Sequence, residues 1–512
     1  METWILILAS LCLATIIIFL KGANKKLPPG PSFFYSHMLL LTNSLADLQS
    51  IIPDLKTKYG PLVTLSIGSH PSVFIGSHSL AHQVLIKKAT IFSDRPKIFP
   101  LRGISTASYG PTWRVLRQNL TSNFLRPSRI KSYSWARKLA FQILVGQLQE
   151  QQEAMGAIKV IDYIEIAMLR LAALMCFQEN LDDRRINDIA SVHDGLRSMV
   201  GSLIFNVFIA TPWLGKLLFR NKWKYFNQLR GDQDQLLIPL IKSRIEAVRD
   251  KEQSVAYVDT LAELKLPKEE ATNINGDQKL TQMEMVSMCS EFLVAGTDGT
   301  SNALQWILAN LVKHPCIQSK LYDEIVAVMG PPPPPSAPGV ELESVINKEN
   351  LKKIPYLKAV VLEGLRRHPP GHIVFPHRVT EEVELQGYMI PKGATINFMV
   401  AEIGWDPVVW DDPMEFKPER FLMDDGGGGG LFDIGGSKGI KMMPFGVGRR
   451  MCPGADLALF HLEYFVANLV WYFHWAVADG CHVDLSEKVT FTVVMKNPLQ
   501  AKISSRTKTT TT

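Results

Sequence analysis

Long apolar runs dominate the pattern of the chain, and short β-rich runs bounded by Gly, Ser and Pro interrupt it. Residues 132–250 read mainly as helix. Residues 281–313 read as one long helix, with Thr281 and Glu284 forming a capping box at its start. Residues 355–367 read as a helix stopped at Pro369-Pro370. The run 455–475 reads as a buried helix entered through Pro453, whose missing N–H costs nothing in a first turn. Pro111 sits in the first turn of another helix, and 79–88 read as a short one with a Ser cap. The runs 61–68 and 71–76 suggest a hairpin. Residues 371–378 read as a strand leaving a helix, 387–393 as turn–strand–turn, and 488–495 as a last hairpin.

The N-terminus has a different pattern. Residues 4–20 are an unbroken apolar run at the short end for a membrane span. Glu2 precedes it, and Lys21, Lys25 and Lys26 follow. A cleavable signal peptide wants its positive charge on the other side. The positive-inside rule then puts the rest of the chain in the cytoplasm. Leu27-Pro28-Pro29-Gly30-Pro31 is a stiff spacer. The expected organisation is therefore an anchor with basic flank over 1–26, a Pro-rich hinge over 27–31, one large domain over 32–503, and a disordered polar tail over 504–512. Residues 330–339 read as a polyproline-like surface loop and 426–430 as flexible low complexity.

Composition narrows the function. The chain has 512 residues, and a hydrophobic share of 46% supports a large core. A net charge of +6, mild and spread out, argues against nucleic acid as a partner. Cys12, Cys176, Cys289, Cys316, Cys452 and Cys481 show no C-x-x-C and no framework spacing, which suits a reduced compartment.

Four constellations carry candidate chemistry. Phe445, Gly446, Gly448, Arg450, Cys452 and Gly454 crowd a loop that feeds the last helix. There the helix dipole and free N–H groups would favour a Cys452 thiolate, the glycines would let backbone approach something flat and large, and Arg450 would add a cation. Ala295-Gly296-Thr297-Asp298-Gly299-Thr300-Ser301 places two glycines inside the long helix, each costing about 1 kcal/mol relative to Ala. Glu363 and Arg366 are helix neighbours, with Pro418-Glu419-Arg420-Phe421 downstream. Trp113 and Arg117 share a helix face.

The pattern F-x-x-G-x-R-x-C-x-G, preceded in order by W-x-x-x-R, A-G-x-D, E-x-x-R and P-E-R-F, resembles the cytochromes P-450 over residues 28–503. The likeness is to plant microsomal A-type enzymes, the family-89 group in particular. It implies a mainly α fold with a smaller β region, an N-terminal transmembrane helix, and haem b. By this resemblance Cys452 is the axial thiolate and the metal ligand. Trp113, Arg117, Arg378, Phe445, Arg450 and Gly454 would also bind the cofactor, with Arg117, Arg378 and Trp113 on its propionates. Glu363, Arg366 and Arg420 would form a buried structural charge network beneath it. Asp298 and Thr300 are the implied catalytic pair for proton delivery, although the family's hydroxyl position is occupied by Gly299. Ala295, Ile373 and Val374 would face substrate. The connection 97–112, which in the family holds part of the pocket, is short.

The implied reaction inserts one atom of O₂ into a small, lipophilic organic substrate. Electrons would come from NADPH through a membrane-bound NADPH–cytochrome P-450 reductase. The implied location is the endoplasmic reticulum membrane, single-pass, with the catalytic domain facing the cytoplasm; the partners are the lipid bilayer, the reductase and a small molecule. Two alternatives stand beside this. One is a haem-thiolate isomerase or dehydratase needing neither O₂ nor reductase, motivated by Gly299. The other is a poorly active membrane-anchored haem protein. The aromatic stretch 203–209 with Trp213 and Leu214 suits either core packing or a distal lid dipping into the membrane.

Overall fold

A computed structural model describes residues 27–43, 45–67, 70–96, 103–200, 212–247, 255–267, 278–333, 345–422 and 432–506. Its central element is helix α1 (Gln282–Lys313). The capping box forms as the residue types predict: Thr281 Oγ1 accepts the Glu284 N–H, and the Glu284 carboxylate accepts the Thr281 N–H at 2.9 Å. From Ala303 to Val312 every residue of this helix is buried. A helix apolar all round belongs inside a core, and neighbours enclose this one on several sides. The helix Val160–Phe177 packs along it, and a Cβ on Gly296 would lie 3.6 Å from the Ala172 methyl. Helices Arg220–Ala247, Pro355–Arg367 and Ala455–Tyr472 close other flanks. Pro355 occupies the first turn of its helix, where no N–H is needed.

A four-stranded sheet stands beside this helical body. Leu62–Ile67 pairs antiparallel with His70–Ile75, which runs parallel to Thr395–Phe398, which pairs antiparallel with His377–Arg378. Its buried residues, among them Val73, Ile75, Ile396 and Phe398, form a second core with Leu85 and Val447. The architecture is mainly helical with a smaller β region.

Several boundaries differ from the sequence expectations. The segment after His78 is a short α-turn, His78–His82, that widens into a π-turn, Gln83–Lys87; Ser77, not Ser79, precedes it, and its side chain makes no capping bond. Residues 371–376 pair only through the single Ile373–Met399 bridge, because Pro376 and Gly371 interrupt a ladder. Ser504 and Ser505, expected in a loose tail, belong to the strand Gln500–Ser505 and pair with His474 and Phe473. Residues 1–26, 97–102, 203–209, 426–430 and 507–512 lie outside the described residues, so the expected anchor, the aromatic stretch and most of the tail are not seen. Among the described residues no helix is long and apolar enough to cross a membrane. Trp213 is exposed on the helix Pro212–Leu218. Cys176, Cys289, Cys316, Cys452 and Cys481 are all free.

Candidate active site

The loop before the last helix is built by backbone hydrogen bonds. The Cys452 N–H donates to the Phe445 carbonyl at 2.8 Å, Met451 N–H to Gly448 at 3.0 Å, and Gly446 N–H to Met443 at 2.9 Å. Gly446 and Gly448 have positive φ, 66° and 77°. At Gly448 an added Cβ would sit 2.3 Å from the Leu85 carbonyl oxygen. That glycine therefore serves close approach of the π-turn backbone.

Cys452, Phe445, Gly446, Arg450 and Gly454 line one large cavity of about 990 Å³, at the upper end of the ~300–1,000 Å³ usual for ligand sites. Ala295, Gly296, Gly299, Thr300 and Ala303 of helix α1 line it too, as do Ile373, Val374 and the hairpin tip Thr490-Phe491-Thr492. By accessible surface Cys452 counts as exposed, because that surface borders the cavity. The protein surrounding it is what governs its proton affinity. Burial pushes the thiol above its ordinary range, and the Gly454 backbone and Arg117 offset this only in part. Burial thus works against the thiolate that the position before a helix favours, and a metal cation on the sulphur would work for it.

One edge of the cavity is cationic. Arg95, Arg117, Arg378 and Arg450 all line it. Arg117 is half-buried, lies 5.6 Å from the Trp113 ring, and makes no side-chain hydrogen bond among the described residues. Burial lowers its pKa, partly offset by Cys452. The Trp113 indole N–H is buried without a partner among the described residues. A buried orphan donor is costly, about 1–3 kcal/mol, unless something accepts from it. Arg378 reaches Asp94 only at 3.9 Å. Arg450, also on the cavity, donates its guanidinium to the carbonyls of Ser93, Ile104 and Ala107 and lies over Trp113 at 4.3 Å, so it holds a loop in place. An enclosed sulphur with an orphan N–H and under-used guanidinium groups at one edge fits a metal macrocycle carrying two carboxylates.

Arg95 was not legible in the sequence. It is buried, donates to the carbonyls of Ser105, Phe375 and Pro376, and has its pKa pulled down to about 9 by burial and by Arg450. Beside it His377, also on the cavity, donates its Nδ1–H to the Phe92 carbonyl at 2.6 Å; burial and Arg95 hold its pKa at about 3, so the ring is neutral.

A family model for cytochrome P450 matches residues 27–504. The chain is 44% identical to "Cytochrome P450 89A9" of Arabidopsis thaliana, with 98% of each chain covered. The chain is a cytochrome P450. It resembles the plant family-89 group. It is also 28% identical to beta-amyrin 24-hydroxylase of Glycine max, covering 95% of this chain and 94% of that one. Against geraniol 8-hydroxylase of Catharanthus roseus it is 28% identical over 97% of each. With these relatives it stands as a P450 monooxygenase. A solved zebrafish cytochrome P450 with progesterone shares the fold, with a TM-score of 0.73 at 21% identity, covering 90% of this chain and 99% of that one.

Two charge clusters flank this P450 cavity. Glu363 accepts two hydrogen bonds from Arg366, at 2.7 and 2.8 Å, and one from Arg420 at 3.1 Å. The Glu363 and Arg366 side chains are 0% exposed. On the other side Asp298 does not line the cavity; its Oδ1 accepts from Arg197 at 2.7 Å, and Oδ2 is buried without a partner among the described residues. Arg197 also binds Glu165 at 3.0 Å and Asp194. Burial raises the Asp298 pKa to about 6 despite Arg197, helped by Glu165 and Asp194. Thr300 lines the cavity beside Gly299, and outside the helix's own turns the nearest described atom to a Gly299 Cβ would be on Pro370 at 3.8 Å.

Proposed function

We propose that this P450 holds haem b through Cys452 and inserts one atom of O₂ into a small, lipophilic substrate. The electrons come from NADPH through NADPH–cytochrome P450 reductase, and residues 1–26 anchor the enzyme in the endoplasmic reticulum membrane. The carrying observation is one cavity that joins an enclosed thiol, a cationic edge with an orphan indole N–H, and the middle of helix α1. When bound, thiolate-ligated haem supplies the O–O cleavage and the oxidising chemistry. The protein's part is positional and protonic. Trp113, Arg117 and Arg378 hold the propionates, and Phe445 and Gly454 shape the sulphur side. Ala295, Ile373 and Val374 offer substrate an apolar wall. Asp298 moves a proton at Oδ2, and Arg197 links that carboxyl to two carboxylates nearer solvent. With Gly299 lacking a hydroxyl, Thr300, a water or a substrate hydroxyl completes the path.

Cys452→Ser tests the ligand. The reduced, CO-bound protein should lose the red-shifted Soret band of thiolate ligation, and a mutant that keeps the wild-type band would remove Cys452 from the role. Gly299 favours one second reading, an isomerase or dehydratase without O₂ or reductase; turnover of an oxygenated substrate in the absence of both NADPH and O₂ would establish it instead.

A further inference from the structure

Glu291 lines the cavity four residues before Ala295, on the same face of helix α1. Both its carboxylate oxygens are used on backbone. Oε2 accepts the Ile104 N–H at 2.8 Å, and Oε1 accepts the Ser105 N–H at 2.7 Å. These are the free donors of a single turn closed by Ala107 N–H to the Gly103 carbonyl at 2.9 Å. Gly103 leaves room for this contact: a Cβ there would meet Oε2 at 2.7 Å. The carbonyls of the same turn point the other way. Arg95 donates to Ser105 at 2.9 Å, and Arg450 donates to Ile104 at 3.3 Å and to Ala107 at 2.8 Å. Residues 103–107 are thus a strap with its N–H groups tied to the long helix and its carbonyls tied to the cationic edge. Ile104, Ser105 and Thr106 form part of the cavity wall.

We propose that Glu291 is a positioning residue for substrate selection: its carboxylate sets where the 103–107 wall stands relative to the apolar face of helix α1. The proposal rests on the haem reading of the cavity for its ligand-binding readout alone. Charge-assisted bonds to backbone are stronger and more directional than apolar contact, so the wall is placed by Glu291 and not by the side chains it presents. Removing the carboxylate frees the N–H side of the strap and leaves its carbonyl side on Arg95 and Arg450. Discrimination between large and small ligands should fall while cofactor loading persists.

The test compares full-length wild type with Glu291→Ala, both loaded with haem, using imidazole and 4-phenylimidazole as spectroscopic probes of the distal side. Amide hydrogen exchange is followed in peptides covering 103–107. Expected is faster exchange there in the variant, an unchanged Kd for imidazole, and a Kd for 4-phenylimidazole weaker by about tenfold, the scale of one charge-assisted bond. Unchanged exchange, or an equal shift in both Kd values, overturns the proposal. If Glu291→Ala fails to load haem, Glu291→Gln takes its place. It keeps one acceptor oxygen, so one of the two amides should stay protected, and 4-phenylimidazole should weaken relative to imidazole by a few-fold; a wild-type ratio overturns it. A wild type that binds neither azole sinks the haem reading, while the exchange measurement still judges the clamp.

Discussion

Glu363 is shared by two arginines in a site closed to solvent, whereas Arg197 is shared by three carboxylates at the flank of the long helix. In the first cluster Arg366 gives both ends of its fork to the acid and its remaining donors to the carbonyls of Gly404, Pro413 and Glu415. In the second, one carboxylate oxygen has no partner among the described residues, and burial raises the acid's pKa to about 6. A fully satisfied buried network rigidifies, and a partly satisfied one keeps a proton within reach of change. On the proposed reading the two clusters divide structure from chemistry, and each can be broken separately.

The largest effect is expected from Arg366→Ala. It takes from the buried Glu363 carboxylate its closest partner, leaving Arg420 on one oxygen, and takes a donor from the Gly404 and Pro413 carbonyls; breaking such a pair costs about 3–5 kcal/mol. Little holoprotein should form, measured as haem per polypeptide and as Tm; a normal yield would show that the network is not needed for folding.

Asp298→Asn should behave in the opposite way. Arg197 keeps Glu165 and Asp194, so stability should change by about 1 kcal/mol or less. Product per NADPH should drop instead, with peroxide rising. The pH dependence follows from the same group. Its folded pKa of about 6 lies above the ordinary 3.8, so the proton is held more tightly in the native state. That contribution to stability is complete below the unfolded value and is lost as pH rises through 6. Coupled turnover of the wild type should accordingly strengthen as pH falls from 7 towards 6, and the asparagine variant should lack this inflection. A variant with the same inflection would move the titration to another group.

Gly299→Thr gives the smallest change. The nearest atom to its Cβ is on Pro370 at 3.8 Å, so the residue enters without displacing its neighbours at that atom. Replacing a helix-interior glycine should stabilise by roughly 0.3 kcal/mol. Product formed per NADPH should rise on a common substrate; equal coupling would show that the hydroxyl is dispensable in this enzyme.

Much of this was legible in the chain itself. The cap at Thr281, the helix over Pro355–Arg367 and the loop before Ala455 depend on residues within a few positions of one another, where sterics and local hydrogen bonds decide. The Cys452 loop and the Glu363–Arg366 spacing were readable for that reason. Only the tertiary structure decided that Arg366 is buried and not a surface ion pair, since i,i+3 spacing is the same in both cases. It alone brought Arg197 to Asp298 across 101 positions and Glu291 to the 103–107 strap across 187. An acid within the apolar stretch Met288-Cys289-Ser290-Glu291-Phe292 was a signal of sorts; a lone arginine on a polar helix was none. It also added two facts that local spacing does not carry. Gly448 makes way for the Leu85 carbonyl, and Cys452 is raised by burial although it precedes a helix. Local sequence sets dihedrals and caps, but desolvation and the partner of a long side chain are properties of packing, and packing exists only once distant segments have met.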